Sequence, residues 1–330
     1  MFKIQSHKFD CIFYIKFDFS CKKLYHIFME IIEEKSTSEL MQSFKSIEDS
    51  NSDICTVILK VENKNFGNVI KPYEINLMGK SMLEWVKNAV YDTHICFADY
   101  IFNQDFLQTV KNATNSNCKY TLVLFSDAPL FQRKTFLQVM EYFKMKSLSV
   151  LKLTRGYVFE TEYLMRIDSL LNPQIQYFDE EDFITCYNLK QTAMVREILR
   201  NRILDYLMKN GVMIEDPTST FIDADCEIEE GTLIKPFNQI LGQSVIEKNV
   251  TLNSHCVIEN SVLMEGAKVS GGKIVNSFIG RNAVVDENCV ISNNAKICDN
   301  VIVPKFCNID GVVIEVKNKL KSFYSYKSEE

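Results

Sequence analysis

Residues 221–264 read FIDADCEIEEGTLIKPFNQILGQSVIEKNVTLNSHCVIENSVLM, and an apolar side chain returns in them at every sixth position. Ile222, Ile228, Ile234, Ile240, Ile246, Leu252, Ile258 and Met264 mark the period, and Ile279, Val285, Ile291, Ile297, Val303 and Ile309 resume it after an interruption. A period of six excludes an amphipathic helix, whose repeat is 3.6. Four residues after each marker stands a small or modest side chain: Cys226, Thr232, Asn238, Ser244, Val250, Cys256 and Val262, then Ala283, Cys289, Ala295, Val301, Cys307 and Val313. Large and small residues in alternation fill a narrow, tapered interior without voids. Four of the cysteines are thereby read as small hydrophobes.

This pattern resembles the hexapeptide repeat of left-handed parallel β-helices, in which three hexads make one triangular coil. The left hand is implied by the resemblance, since parallel crossovers are otherwise right-handed. The stretch predicts about five coils. The interruption, EGAKVSGGKIVNS at 265–277, carries Gly266, Gly271 and Gly272 and is expected to form a loop or an altered corner. Just upstream, KQTAMVREILRNRILDYLMKNGV reads as a linker helix with an apolar stripe of Val195, Ile198, Leu199, Ile203 and Leu207. Gly211 stands where its C-terminal cap belongs.

Further back the pattern is α/β. TVIL at 56–59 and YTLVLF at 120–125 read as buried parallel strands, and SMLEWVKNAVYD and RKTFLQVMEYFKMKS as helices. The expected organisation is an N-terminal extension over 1–50, an α/β domain over 51–189, the linker helix over 190–211, the β-helix over 212–316 and a polar tail over 317–330.

Composition bounds the function. The 330 residues are 46% apolar and 24% charged, enough for a large core and two domains. A net charge of −6 offers no basic face for nucleic acid or an anionic membrane. Lys3, Lys8, Asp10, Lys16 and Asp18 interrupt the apolar residues of the N-terminus, which therefore lacks the run of about 20 that a membrane span needs. A cytoplasmic location is expected. The eleven cysteines form no CxxC pair, so neither a zinc site nor a redox motif is spelled out.

Three stretches carry a family resemblance. KPYEINLMGKSMLEWV resembles the motif that follows the signature loop of sugar nucleotidyltransferases, and LVLFSDAPLFQRKTFLQVM their second metal-site strand and helix. NGVMIEDPTSTFIDADCEIEEGTLIKP is similar to the junction into the β-helix of bifunctional UDP-N-acetylglucosamine pyrophosphorylase and glucosamine-1-phosphate acetyltransferase. The similarity covers roughly residues 55–315, with gaps. It implies a reduced Rossmann-like nucleotidyltransferase domain that joins N-acetylglucosamine 1-phosphate to UTP and releases pyrophosphate, a reaction that supplies cell-envelope precursors. Mg²⁺ would clamp the phosphates. By the same resemblance Asp127 of SDAPL is the metal-binding aspartate, Asn188 of TCYNLKQ completes the protein's share of the metal shell, and Lys71 of KPY contacts phosphate. Each residue also has a local reading: Asp127 can cap a turn, Asn188 can bond its own backbone, and Lys71 can be solvated.

The same family shows what is missing. Its glycine-rich LAAGxGTRM loop lets backbone N–H groups approach the triphosphate, whereas this chain has LKVENKNFGN. Glu62 adds repulsion there, and only Lys60, Lys64 and Gly67 help. The uracil-contacting QxxGTAHA run is replaced by FNQDFLQTVKNA, and the sugar-contacting EINTG by LKLTRG at 151–156. The acetyltransferase activity needs further coils and a catalytic histidine, while His255, the only histidine of the repeat, is expected on the surface. Two functions follow: a degenerate sugar nucleotidyltransferase of the UDP-N-acetylglucosamine pyrophosphorylase type, or a non-catalytic nucleotide-sugar-sensing or oligomeric scaffold protein, with a nucleotide sugar or sugar phosphate as the expected ligand. Related β-helices pack about a threefold axis, so a homotrimer is expected.

Overall fold

The computed structural model describes residues 51–62, 66, 71–101 and 105–327. The N-terminal extension and the positions of Lys64 and Gly67 lie outside them. The α/β part is one six-stranded sheet built from β1 (Ile54–Glu62), β2 (His94–Ile101), β3 (Tyr120–Phe125), β4 (Val150–Leu153), β5 (Gly156–Glu160) and β6 (Gln174–Ile175). Its order is β2-β1-β3-β5-β4-β6. β1 runs parallel to both β2 and β3, and β5 runs antiparallel to β3 and to β4.

Alternation along β1 sends its side chains to two cores, as a strand covered on both faces requires. Ile54 and Ile58 pack beneath α1 (Met82–Ala89) and α3 (Arg133–Met145), against Val86, Phe136, Val139 and Phe143. Cys55, Val57 and Leu59 face the other way, toward α2 (Phe106–Ala113) and α4 (Thr161–Arg166), meeting Leu107, Val110 and Leu164. α1 starts where the sequence permits it: Ser81 accepts from the Glu84 amide while Glu84 reaches back to the Ser81 amide.

α5 (Leu189–Lys209) is the linker helix, and Gly211 follows its end at φ +87°. Buried Asp182 ties it to the sheet domain by accepting from Gln132, Thr135 and Arg202. A second tie comes from the Asn76–Leu77/Lys80–Ser81 hairpin, which docks on the first coil of the solenoid. There the Ala224 amide donates to the Met78 carbonyl at 2.9 Å, and Lys80 pairs with Asp225 at 2.7 Å.

From Met213 onward the chain winds as a left-handed parallel β-helix whose three faces hold six, seven and six strands, one coil more than the spacing predicts. Ile222, Ile240, Ile258, Ile274, Ile291 and Ile309 stack in register up one face. The polar members of the small-residue set are fully buried and satisfied. Thr232 donates to the Glu247 carbonyl at 3.0 Å, Ser244 to that of Leu241 at 2.8 Å, and Asn238 bridges the Lys235 carbonyl and the Cys256 amide.

Three sequence expectations change. The inward residue after Ile258 is Leu263, with Met264 half-buried beside it, and Ser261 rather than Val262 takes the small inward position. Likewise Ile314 is buried and Val313 exposed. The reason is that sides of five residues occur here: Ile258 to Leu263, Val269 to Ile274, Ile274 to Ile279 and Ile309 to Ile314 are all successive buried markers. Residues 265–277 are therefore an altered corner inside the solenoid, with strands at Lys268–Val269 and Gly272–Val275. Gly272 makes that corner possible: at φ +120°, a Cβ there would stand 2.2 Å from the Cys289 carbonyl oxygen. Finally, the segment after 316 is more than a polar tail. Ser325–Lys327 pairs in parallel with Asn308–Asp310 as a seventh strand, and Phe323 stacks on Phe306 at 4.6 Å.

Candidate functional site

Because β1, β2 and β3 are parallel, Val61, Tyr100 and Phe125 come together at their C-terminal ends, the end of an open α/β sheet where ligands bind. A cleft of about 450 Å³ opens there, closed by Phe106 at the start of α2 and by the β4–β5 turn from Lys152 to Tyr157. Its wall is aromatic: Tyr100 stands edge-on to Phe125 at 5.8 Å, and Phe106 lies 5.0 Å from Tyr157. Among the described residues, Lys152 and Arg155 are its two cations. Gly156 lets the turn come this close, since a Cβ would meet the Val123 carbonyl at 2.6 Å.

Asp127 sits two residues beyond β3, and its carboxylate is taken. Arg155 Nε donates to Oδ1 at 3.0 Å and Nη2 to Oδ2 at 2.6 Å, while the guanidinium carbon lies 3.9 Å from the centre of the Phe125 ring. The Asp127 side chain is 4% exposed and that of Arg155 26%, so the cation is the half of the pair that solvent reaches. Burial pushes the Asp127 carboxyl above the ordinary carboxylate range, and the two bonds from Arg155 oppose that shift.

Asn188 lies nearby, because the Cys186 amide donates to the Asp127 carbonyl at 2.8 Å. Its side-chain oxygen, however, accepts from the Gln191 amide at 3.0 Å and caps α5. Asp127 and Asn188 thus come from neighbouring segments with their side chains spent on different partners. Lys71 is exposed and does not line the cleft. It pairs with Glu74 at 3.6 Å, and that carboxylate raises its pKa.

A Mg²⁺ ion needs hard oxygen ligands in near-octahedral array. Both Asp127 oxygens already accept from a guanidinium, and the described residues contain no group of three His, Cys, Asp or Glu able to hold a metal. The side chains present do not fit the ion. The residues that define this cleft, Arg155 and Lys152, were legible only as LKLTRG, a departure from a sugar-contacting motif. A basic pair flanking a strand-end turn was the available signal.

Residues 217–328 match the family model of the GMPPB C-terminal domain. Bifunctional protein GlmU from Clostridium novyi (strain NT) is 36% identical over 119 residues, 36% of this chain and 26% of that protein. GlmU from Clostridioides difficile (strain 630) is 26% identical over 163 residues, 49% of this chain and 36% of that protein. Over these stretches the chain is similar to GlmU. The chain matches only about a third or less of these relatives' length, and the GMPPB-type region begins after Lys71, Asp127 and Asn188. Among solved structures, 4-diphosphocytidyl-2C-methyl-D-erythritol synthase from Anaerococcus prevotii superposes on 46% of this chain and 100% of its own, at 8% identity and a TM-score of 0.35, too distant to add to that. No helix among the described residues is long and apolar enough to cross a membrane.

Proposed function

We propose that the α/β unit, of sugar-nucleotidyltransferase ancestry, binds a nucleotide sugar or sugar phosphate in the cleft between Phe125 and Arg155 and no longer performs metal-dependent transfer. The observation that carries this reading is the side-on grip of Arg155 on Asp127 at the mouth of an aromatic cleft. Aromatic walls suit a base or a sugar face, and two cations suit a phosphate. UDP-N-acetylglucosamine, the product of the related pyrophosphorylases, is the first ligand to test. In a thermal unfolding series with UDP-N-acetylglucosamine, UTP and N-acetylglucosamine 1-phosphate, the nucleotide sugar is expected to raise the midpoint by a few degrees near saturation. No shift with any of the three, with or without Mg²⁺, overturns the reading.

The solenoid supports assembly as a homotrimer. Val245, Val262 and Phe278 point outward in one column and are only half-buried, while Ile302 and Val313 stand exposed on the other coils. Closed symmetry is the usual way to cover such faces. Sedimentation equilibrium of the full chain should report three times 38.2 kDa. A mass of one chain at micromolar concentration would show that the faces are solvated.

A further inference from the structure

The charge at the mouth of the cleft is inverted relative to a metal site. A carboxylate that recruits a divalent cation must offer its oxygens to the ligand side, yet here Asp127 is buried and Arg155 covers it. Guanidinium stays protonated throughout the physiological range, so no accessible pH clears the position. Its side-on grip uses Nε and Nη2, and no described hydrogen bond engages Nη1. Lys152 lines the same cleft and adds a second positive charge. The Phe125 ring, whose centre lies 3.9 Å from the guanidinium carbon, adds a cation–π contact to that brace.

We propose that Arg155 is the resident cation of this cleft: braced by Asp127, it takes the place of a divalent ion and binds the phosphate of a ligand without metal. The phosphate half of this rests on the reading of the cleft as the ligand site, and the metal half does not. Asp127 is then a positioning residue, fixing the guanidinium plane so that Nη1 meets the ligand at little entropic cost.

The test uses the full chain and two probes. Mn²⁺ followed by electron paramagnetic resonance should show no ion bound at Asp127 in the unaltered protein, that is, no signal that Asp127→Asn removes. Inorganic pyrophosphate, titrated calorimetrically in EDTA, should bind, and Arg155→Met should weaken it about tenfold or more. Asp127→Asn keeps the cation and should retain pyrophosphate binding, whereas a merely structural pair would make the two variants equally damaging. Arg155→Met leaves a buried carboxylate without its partner and can fail to fold, in which case Arg155→Lys, expected to bind in between, takes its place. Pyrophosphate that binds only with Mg²⁺, or not at all, overturns the phosphate half, and Mn²⁺ bound to the unaltered protein and lost in Asp127→Asn overturns the metal half. Nucleotide sugars that stabilise the chain only with Mg²⁺ would refute this inference while sparing the proposed function. No nucleotide-sugar binding under any condition would refute the proposed function, with the Mn²⁺ measurement still deciding the metal half.

Discussion

Given UTP, N-acetylglucosamine 1-phosphate and Mg²⁺, the purified chain will release pyrophosphate at least about a thousandfold more slowly than a competent pyrophosphorylase. The reaction forms a bond from the sugar-phosphate oxygen to the α-phosphorus of UTP and expels pyrophosphate, so its barrier depends on neutralising the charge spread over the phosphate oxygens. Two devices could do that, and on the proposed reading the chain has lost both. Where the family has glycines to admit the triphosphate, this chain has LKVENKNFGN, and Phe66 within it is 4% exposed and packs with Leu77, Met82 and Leu130. Where a metal ion would sit, Arg155 occupies both oxygens of Asp127. A single lost oxyanion donor commonly costs a hundredfold or more in rate, so losing both devices leaves turnover near background. A coupled assay for pyrophosphate decides the matter: robust release that Asp127→Ala abolishes would overturn the expectation.

How much of this could be read beforehand follows from the range of each interaction. The solenoid was legible because its core repeats locally: each inward residue announces the next, and Ile222 through Ile258 are buried as the period requires. At Met264 the six-residue period is off by one residue because a five-residue side changes the phase without changing composition, and only the coil-to-coil ladder reveals which neighbour turns inward. Arg155 was not legible as Asp127's partner. The two are 28 residues apart, on a strand end and on a turn between antiparallel strands, and no periodicity connects them. Asn188 shows the converse, since Asn followed three residues later by Gln at the start of a helical pattern is a local capping signal, and the cap is what forms. The burial of Phe66 was not legible in LKVENKNFGN, because its partners, Leu77 and Leu130, arrive only with the tertiary fold.

Cys226, Cys256, Cys289 and Cys307 will resist thiol reagents in the native solenoid and react together on unfolding. Burial pushes the thiols of Cys226 and Cys256 up to about 12 and that of Cys289 up to about 11, and it raises Cys307 as well. Each sulfur also faces a carbonyl inside the prism: Cys256 that of Asn253 at 3.1 Å, Cys289 that of Pro304 at 3.2 Å, and Cys307 that of Lys321 at 3.3 Å. The thiolate is the reactive form, so a pKa near 12 lowers its fraction at neutral pH by about a thousandfold against a free cysteine, before access is considered. Cys96, Cys226 and Cys298 are all half-buried, but the Cys226 sulfur is held 3.4 Å from the Ile240 and Gly242 carbonyls, so Cys96 and Cys298 serve as internal references that should label before the four. The same shifts fix a direction for stability. A thiol whose folded pKa lies above its unfolded value keeps its proton in the native state while the unfolded chain releases it. Native stability should therefore fall as pH rises from the ordinary value of 9.0 toward 12, by about 1.4 kcal/mol per pH unit for each of Cys226 and Cys256. Denaturant midpoints at pH 8 and pH 10.5 measure this, and replacing Cys256 with Ala should reduce the slope. Fast native labelling of all four, or midpoints indifferent to alkali, would show that these sulfurs do not fill the prism.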